Sequence, residues 1–390
     1  MRRDNEAFQR HQELLTRVRG TSNPEFPCGL ISANLFTLSI ILRLTVFFSL
    51  ALLLMSCDPE DLGHGPAPGW STWRDWKGIE APNYAYDLAF SPTQGIWIAS
   101  ASGIFFFDNP TFTRYDSVTT NGALSRSDFR AVDIASDGSV WAGATNGLLA
   151  RFNGTQWQEF PDLADSLYSA TITAIQCRGD NEVWVGTNAV GLLRLTDSRW
   201  SSITAENTNK ELPGNIINDI VVDRNNVVWV ATDSGIGRFD GSSWQGLTVQ
   251  TTNGKLPENR VTAVAVDSLN QLWAGTYRGY LLRYDGREWL SYAPDSTSGK
   301  LPGLPIISLA VDGRGVKWIG FELSSYGDPK RYGYHDGGVM RFDDIFWKWY
   351  SSESTYTAMP GGDVVDVEID AAGKIWMAIL GSGISSYRGE

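Results

Sequence analysis

The chain has 390 residues, 42% of them hydrophobic, with 32 basic against 44 acidic side chains and a net charge of −12 at pH 7. Sixteen Trp and 40 Gly beside only 19% charged residues point to many short strands and tight turns and away from long helices. Three cysteines without a C-x-x-C pair exclude a disulfide framework and a cysteine-based metal site, and three histidines (His11, His64, His335) leave little room for histidine chemistry.

Residues 1–56 read as a targeting segment, with an over-long start before the apolar run Leu35 to Ser56, which only Arg43 interrupts. Leu44 to Leu54 suits a signal-peptide core with Arg43 as its positive flank. The run ends in Leu54-Met55-Ser56-Cys57, which resembles a bacterial lipobox and implies lipidation of Cys57, a membrane anchor and a place in the cell envelope. A single uncleaved membrane helix is the rival reading. Residues 57–69 follow as a Pro/Gly-rich linker. Without the first 56 residues, which hold six Arg and four acids, 26 basic and 40 acidic side chains remain, a net of −14 that repels phosphate backbones and disfavours nucleic acid as a partner.

From Trp70 onward the chain repeats itself. Trp97, Trp141, Trp184, Trp229, Trp273, Trp318 and Trp376 follow apolar runs at spacings of 44, 43, 45, 44, 45 and 58 residues. Two residues after each lies Gly or Ala, expected to seat a large flat side chain of a neighbouring sheet. Three residues before it lies Gly or Asn in six copies (Gly138, Asn181, Asn226, Asn270, Gly315, Gly373), as a positive-φ turn requires. Each unit divides into four short strands, the fourth opening at Phe112, Trp157, Trp200, Trp244, Trp289 or Trp347. The seventh unit stops at Tyr387 without its fourth strand, and Trp70 to Asp75 carries the missing pattern. The expectation for residues 70–390 is an all-β, seven-bladed β-propeller whose ring is closed by an N-terminal strand completing the last blade.

The pattern V-x-D-x-x-[GN]-x-x-W-[VIA]-[GA]-[TA], then G-[LI]-x-R-[FLY]-[DNT], with inter-blade segments such as Asn209 to Ile220 (NKELPGNIINDI) and Asn253 to Val264 (NGKLPENRVTAV), resembles the two-component regulator propeller family. That resemblance implies a sensor-type propeller in the bacterial cell envelope that recognises a saccharide or a partner protein without catalysis, metal or cofactor. Here no second propeller, following membrane segment or kinase accompanies it. Two alternatives stay open. One is a metal-dependent enzyme like the streptogramin lyases, which need a His and a Glu facing the channel. The other is an assembly module for secretion or surface-polysaccharide delivery.

Departures from the repeat are where a site is expected. The 58-residue spacing comes from Phe321 to Gly337, between the second and third strands of unit six, on the face where inter-blade segments emerge. It gathers Tyr326, Asp328, Lys330, Arg331, Tyr332, Tyr334, His335 and Asp336, aromatics for stacking and charges for hydrogen bonding. Tyr277 and Arg278 stand at the equivalent turn one unit back, where others carry Asn146, Asn188 or Asp233. These ten residues form the expected ligand-binding set. Asp223, Asp267, Asp312 and Asp370, six residues before Trp, are assigned to capping turn amides. Arg151, Arg194, Arg238, Arg283 and Arg341 are assigned to stacking on aromatics. Cys177 falls in an apolar strand as a small buried hydrophobe.

Overall fold

A computed structural model describes residues 70–73, 82–91, 95–163, 167, 170–179, 182–322, 337–355 and 358–388. Cys57, the segment before it, the linker, and Tyr326, Asp328, Lys330, Arg331, Tyr332, Tyr334, His335 and Asp336 lie outside the described residues.

Seven antiparallel four-stranded sheets form the blades of a β-propeller. Blade 5 shows the plan: Val261–Val266 innermost, then Leu272–Thr276, Leu281–Tyr284 and Trp289–Tyr292 outermost. The innermost strand of each blade packs on those of both neighbours, and blade 7 (Val364–Ile369) returns to blade 1 (Ala85–Ser91), so the ring closes. Trp70–Trp73 supplies the fourth strand of blade 7, with Trp70 opposite Tyr387 and Trp73 opposite Ile384. Closure therefore leaves no blade with a missing outer strand.

Local chemistry explains why this sequence folds so. The second strand of blades 2 to 7 is buried at every residue except Glu182 at the start of blade 3, as a strand covered by neighbouring blades on both faces must be. The turn before it places Gly138, Asn226, Asn270, Gly315 and Gly373 at φ between 61° and 82°, the left-handed region those residues tolerate. Inter-blade segments each push one apolar side chain into the seam: Leu124, Leu212, Leu256, Leu301 and Met359 are all buried.

The small residue two positions after Trp does not seat an indole. A Cβ placed on Gly143, Gly186 or Gly275 would meet Cγ2 of Ile172, Ile217 or Ile306 at 2.3, 2.6 and 2.3 Å. Each of those isoleucines opens the innermost strand of the next blade. Blades converge toward the axis, so this position lies where neighbouring sheets are nearest and a residue no larger than Ala is required. The indoles pack farther out: Trp184 meets Phe239 and Trp244 of blade 4 at 5.6 and 5.9 Å.

The assigned aspartates cap their turns and do more. Asp267 Oδ1 accepts the Leu269 and Gln271 amides, while Oδ2 accepts the Trp273 indole N–H at 2.9 Å. Asp223 and Asp370 bind Trp229 and Trp376 in the same way. In blade 6 the Asp312 Oδ2 is engaged by Arg314 instead, and the buried Trp318 indole nitrogen has no partner among the described residues. Arg151, Arg194, Arg238 and Arg283 lie over Trp141, Trp184, Trp229 and Trp273, as expected, whereas Arg341 pairs with Asp343 at 2.8 Å. Cys177 is only partly buried. It packs against the buried cluster that holds Trp141, Ile175 and Val183.

Candidate functional site

In each blade the first residue after the second strand donates its N–H to a carbonyl just before the innermost strand. The seven pairs are Ala101–Tyr84, Thr145–Asp128, Asn188–Thr171, Asp233–Ile216, Tyr277–Arg260, Glu322–Pro305 and Leu380–Asp363, at 2.9 to 3.3 Å. This fixes one uniform rim around the channel mouth, on which only the side chains differ.

Immediately inside the rim every innermost strand slips register by one residue. The slips skip Tyr86, Arg130, Thr173, Asn218, Thr262, Ile307 and Val365 in turn. A bulge breaks strand alternation and re-aims the extra side chain, and four of these residues line one hollow at the mouth. Thr173 Oγ1 donates to Ile217 O at 2.7 Å and Asn218 Nδ2 to Val261 O at 2.6 Å, each reaching the next blade. Tyr86 and Arg130 instead stack on each other, the guanidinium 3.8 Å from the ring centre, with Arg130 also donating to Asp128 at 3.2 Å. Burial raises the Tyr86 phenol, against the opposing pull of Arg130. The hollow measures about 440 Å³ and is lined by Tyr86, Arg130, Thr145, Thr171, Thr173, Asn188 and Asn218, with no aliphatic side chain.

The expected Tyr277 stands on the same rim. Arg260 stacks on it at 3.7 Å and reaches Asp233 at 3.6 Å, and Asp233 accepts a hydrogen bond from Asn218 at 2.9 Å. Tyr277 is thus wired to the hollow through three side chains. Arg278 is 78% exposed and pairs with Glu258 at 3.7 Å on the outer side of the rim. The structure joins Tyr277 to Tyr86, Arg130, Thr173 and Asn218, which the sequence reading had passed over.

Below the mouth the channel, about 370 Å³, is walled by five carboxylates: Asp87, Asp133, Asp219, Asp366 and Glu368. Four of them staple adjacent blades. Oδ2 of Asp87, Asp133, Asp219 and Asp366 accepts the amide of Val132, Cys177, Val264 and Leu88 in the following blade, at 2.6 to 2.9 Å. Burial pushes Asp133 and Asp366 up to about 6 and Asp219 up to about 7, with the backbone amides pulling the other way. Burial, and then repulsion from Asp366, raise Asp87 and Glu368 well above the usual carboxylate range. The cationic side chains at the mouth are Arg130 and Arg260. Among the described residues no group of three or more His, Cys, Asp or Glu side chains is arranged to hold a metal ion. No helix among them is long and apolar enough to cross a membrane.

A seven-bladed β-propeller with a side-chain-variable mouth on a uniform rim is the class these features define. Residues 211–234 and 255–278 match the two component regulator propeller family, so the chain carries repeats of that family. No curated protein matches the chain in sequence. Among solved structures it is similar to the extracellular domain of BT3049 from B. thetaiotaomicron, described as a hybrid two component system, with TM-score 0.64 and 16% identity over 83% of this chain. It covers 42% of that domain, so it spans less than half of that structure's length. It is also similar to a catalytically inactive virginiamycin B lyase from Staphylococcus aureus with quinupristin, at TM-score 0.61, 15% identity, 82% of this chain and 99% of the lyase. YCF48 bound to D1 peptide gives TM-score 0.58, 12% identity, 84% of this chain and 99% of that one. At these identities the likeness is one of fold.

Proposed function

We propose that the protein is a non-catalytic recognition propeller of the bacterial cell envelope, anchored through Cys57, that binds a hydroxyl-rich ligand, a short saccharide, at the channel mouth. The observation that carries the reading is the lining of the mouth hollow, made only of Tyr, Arg, Thr and Asn residues. Such a wall offers aromatic and guanidinium plates for sugar faces and hydroxyl and amide groups for sugar hydroxyls. Its volume falls in the range of small-molecule sites. The residues Tyr326 to Asp336, between the second and third strands of blade 6 in the sequence, are further candidate ligand contacts. The match to two component regulator repeats and the fold shared with a two component extracellular domain favour sensing over turnover. The lyase alternative draws on fold alone.

Calorimetric titration with a panel of neutral and uronate oligosaccharides tests this. At least one saccharide is expected to bind saturably, with affinity falling tenfold or more in Arg130→Ala and in Tyr86→Ala. Saccharide binding untouched by either change, or turnover that a chelator abolishes, would overturn it.

A further inference from the structure

The chain enters every innermost strand from the mouth face, so the turns joining third to fourth strands lie on the opposite face. Three of these turns are polar and alike. Asn153 to Gln156, Asp240 to Ser243 and Asp285 to Glu288 carry Gly154, Gly241 and Gly286 in second place, at φ of 93°, 97° and 94°. Blade 6 departs from them: its turn reads Asp343-Asp344-Ile345-Phe346, with Ile345 and Phe346 75% and 62% exposed. Asp344 sits at φ 74° where the others have Gly, an uncommon backbone for a residue with a side chain.

That conformation is held from below. The Lys317 ammonium, on a side chain with no exposed surface, reaches Asp344 Oδ1 of its own blade at 2.5 Å while lying over the Trp273 ring of blade 5. The equivalent position in the other blades is Ile96, Val140, Val183, Val228, Leu272 or Ile375. Asp343 in turn accepts the Phe346 amide and pairs with Arg341, each at 2.8 Å. Both tip carboxylates are thereby matched by cations, and the apolar pair projects without a net charge behind it.

The same face receives the tether. Trp70 takes the place of the first residue of a fourth strand and pairs with Tyr387, the last residue of the third, in blade 7 next to the tip. The 12 residues between Cys57 and Trp70 reach at most about 40 Å when extended. On this face also lie exposed Arg314, which pairs with Asp312, exposed Arg388, Lys374 in the turn of blade 7, and Leu269, 76% exposed in the turn of blade 5.

We propose that this face rests on the bilayer that holds the anchor, with Ile345 and Phe346 inserted among the lipids and the basic residues of blades 6 and 7 against anionic headgroups. Apolar tips flanked by cations suit a lipid interface, and a lipid chain combined with a second membrane contact holds far better than either alone. The result is orientation: the mouth faces away from the membrane, open to ligand. The proposal rests on the anchor reading given above.

The test uses the full chain in a Cys28→Ser, Cys177→Ala background, reconstituted into phosphatidylcholine vesicles containing phosphatidylglycerol, with a fluorophore at Leu269→Cys or, on the mouth face, at Val118→Cys. Headgroup-linked quenchers are expected to dim the Leu269 label several-fold more than the Val118 label, and Ile345→Ser/Phe346→Ser to erase that difference. Equal quenching at both sites overturns the proposal, as does a tip change that alters only the oligomeric mass in light scattering, which would assign the tip to a second copy of the chain. Flotation and the mass of the Cys57 peptide read the anchor separately. Should the anchor fail, sedimentation with excess vesicles still decides: retention lost in the tip variant supports the membrane face, and retention equal in both refutes it.

Discussion

Gly275→Ala tests the packing that sets the ring. The backbone at Gly275 is ordinary strand, so any cost is steric, and a Cβ there would lie 2.3 Å from Ile306 Cγ2 and 2.7 Å from its Cβ. Carbon atoms at rest sit about 3.5 to 4.0 Å apart, so blades 5 and 6 must part or Ile306 must leave its rotamer. Overpacking of this kind costs about 1 to 3 kcal/mol. Ile306→Ala alone removes a fully buried side chain and costs about 2 to 5 kcal/mol through the cavity it leaves. Together the two changes recreate what blades 7 and 1 already contain, Ala378 facing Ala85. The double variant is therefore expected to be more stable than the sum of the singles by about 1 to 2 kcal/mol. Urea unfolding of the four proteins, with unchanged slopes, measures this. A Gly275→Ala cost below about 0.5 kcal/mol, or strict additivity, would refute the inference that this position is emptied to admit the next blade's isoleucine.

Asp267→Ala removes the acceptor for two turn amides and the enclosed Trp273 indole, and should destabilise by about 2 to 4 kcal/mol. Asp312→Ala, whose indole has no such bond, should cost less in the same denaturant assay. The channel acids set a pH dependence: their folded pKa values are raised, so their stabilising contribution is full below pH 4 and lost as pH rises through about 6 to 7. Acids outside the channel such as Asp116 and Asp343 are shifted down and finish their effect below pH 4, so the melting temperature should fall between pH 5 and pH 8, and Asp219→Asn should flatten that fall. A melting temperature that climbs across this range would count against the buried channel acids. Lys317→Leu places an apolar residue where the six other blades have one and frees Asp344, 53% exposed, to water. It should be neutral or stabilising in thermal melts, whereas Lys317→Ala, which leaves a void, should destabilise.

The blade count and the capping aspartates were legible because each is local, a Trp at fixed spacing or a side chain three to six residues from its partner, and the closing strand because the seventh unit lacks the fourth-strand pattern that Trp70 to Asp75 carries. The seating of Ile306 on Gly275 was not, since it joins positions 31 residues apart in different blades. Tyr86 and Arg130 escaped for a related reason. They fill the bulge position of the innermost strand, where alternation fails, and a Tyr and an Arg in an apolar run look like surface residues until the ring turns them to the mouth. Aligning that one position across blades would have exposed them, because Thr173, Asn218 and Thr262 there are small and clasp the next blade. The channel acids were hidden likewise: Asp87, Asp219 and Asp366 occupy one repeat position and Asp133 and Glu368 another, yet polar residues alternating along a strand suggest bulk water and not a shared channel.

Hydrogen–deuterium exchange, with and without the saccharide that binds most tightly in the titration panel, tests most directly whether recognition sits at the mouth. Protection is predicted at residues 84–86, 128–130, 258–260 and 277–280, with none at the opposite-face turns 153–156, 240–243 and 285–288. Protection confined to those turns, or spread evenly over both faces, would contradict it.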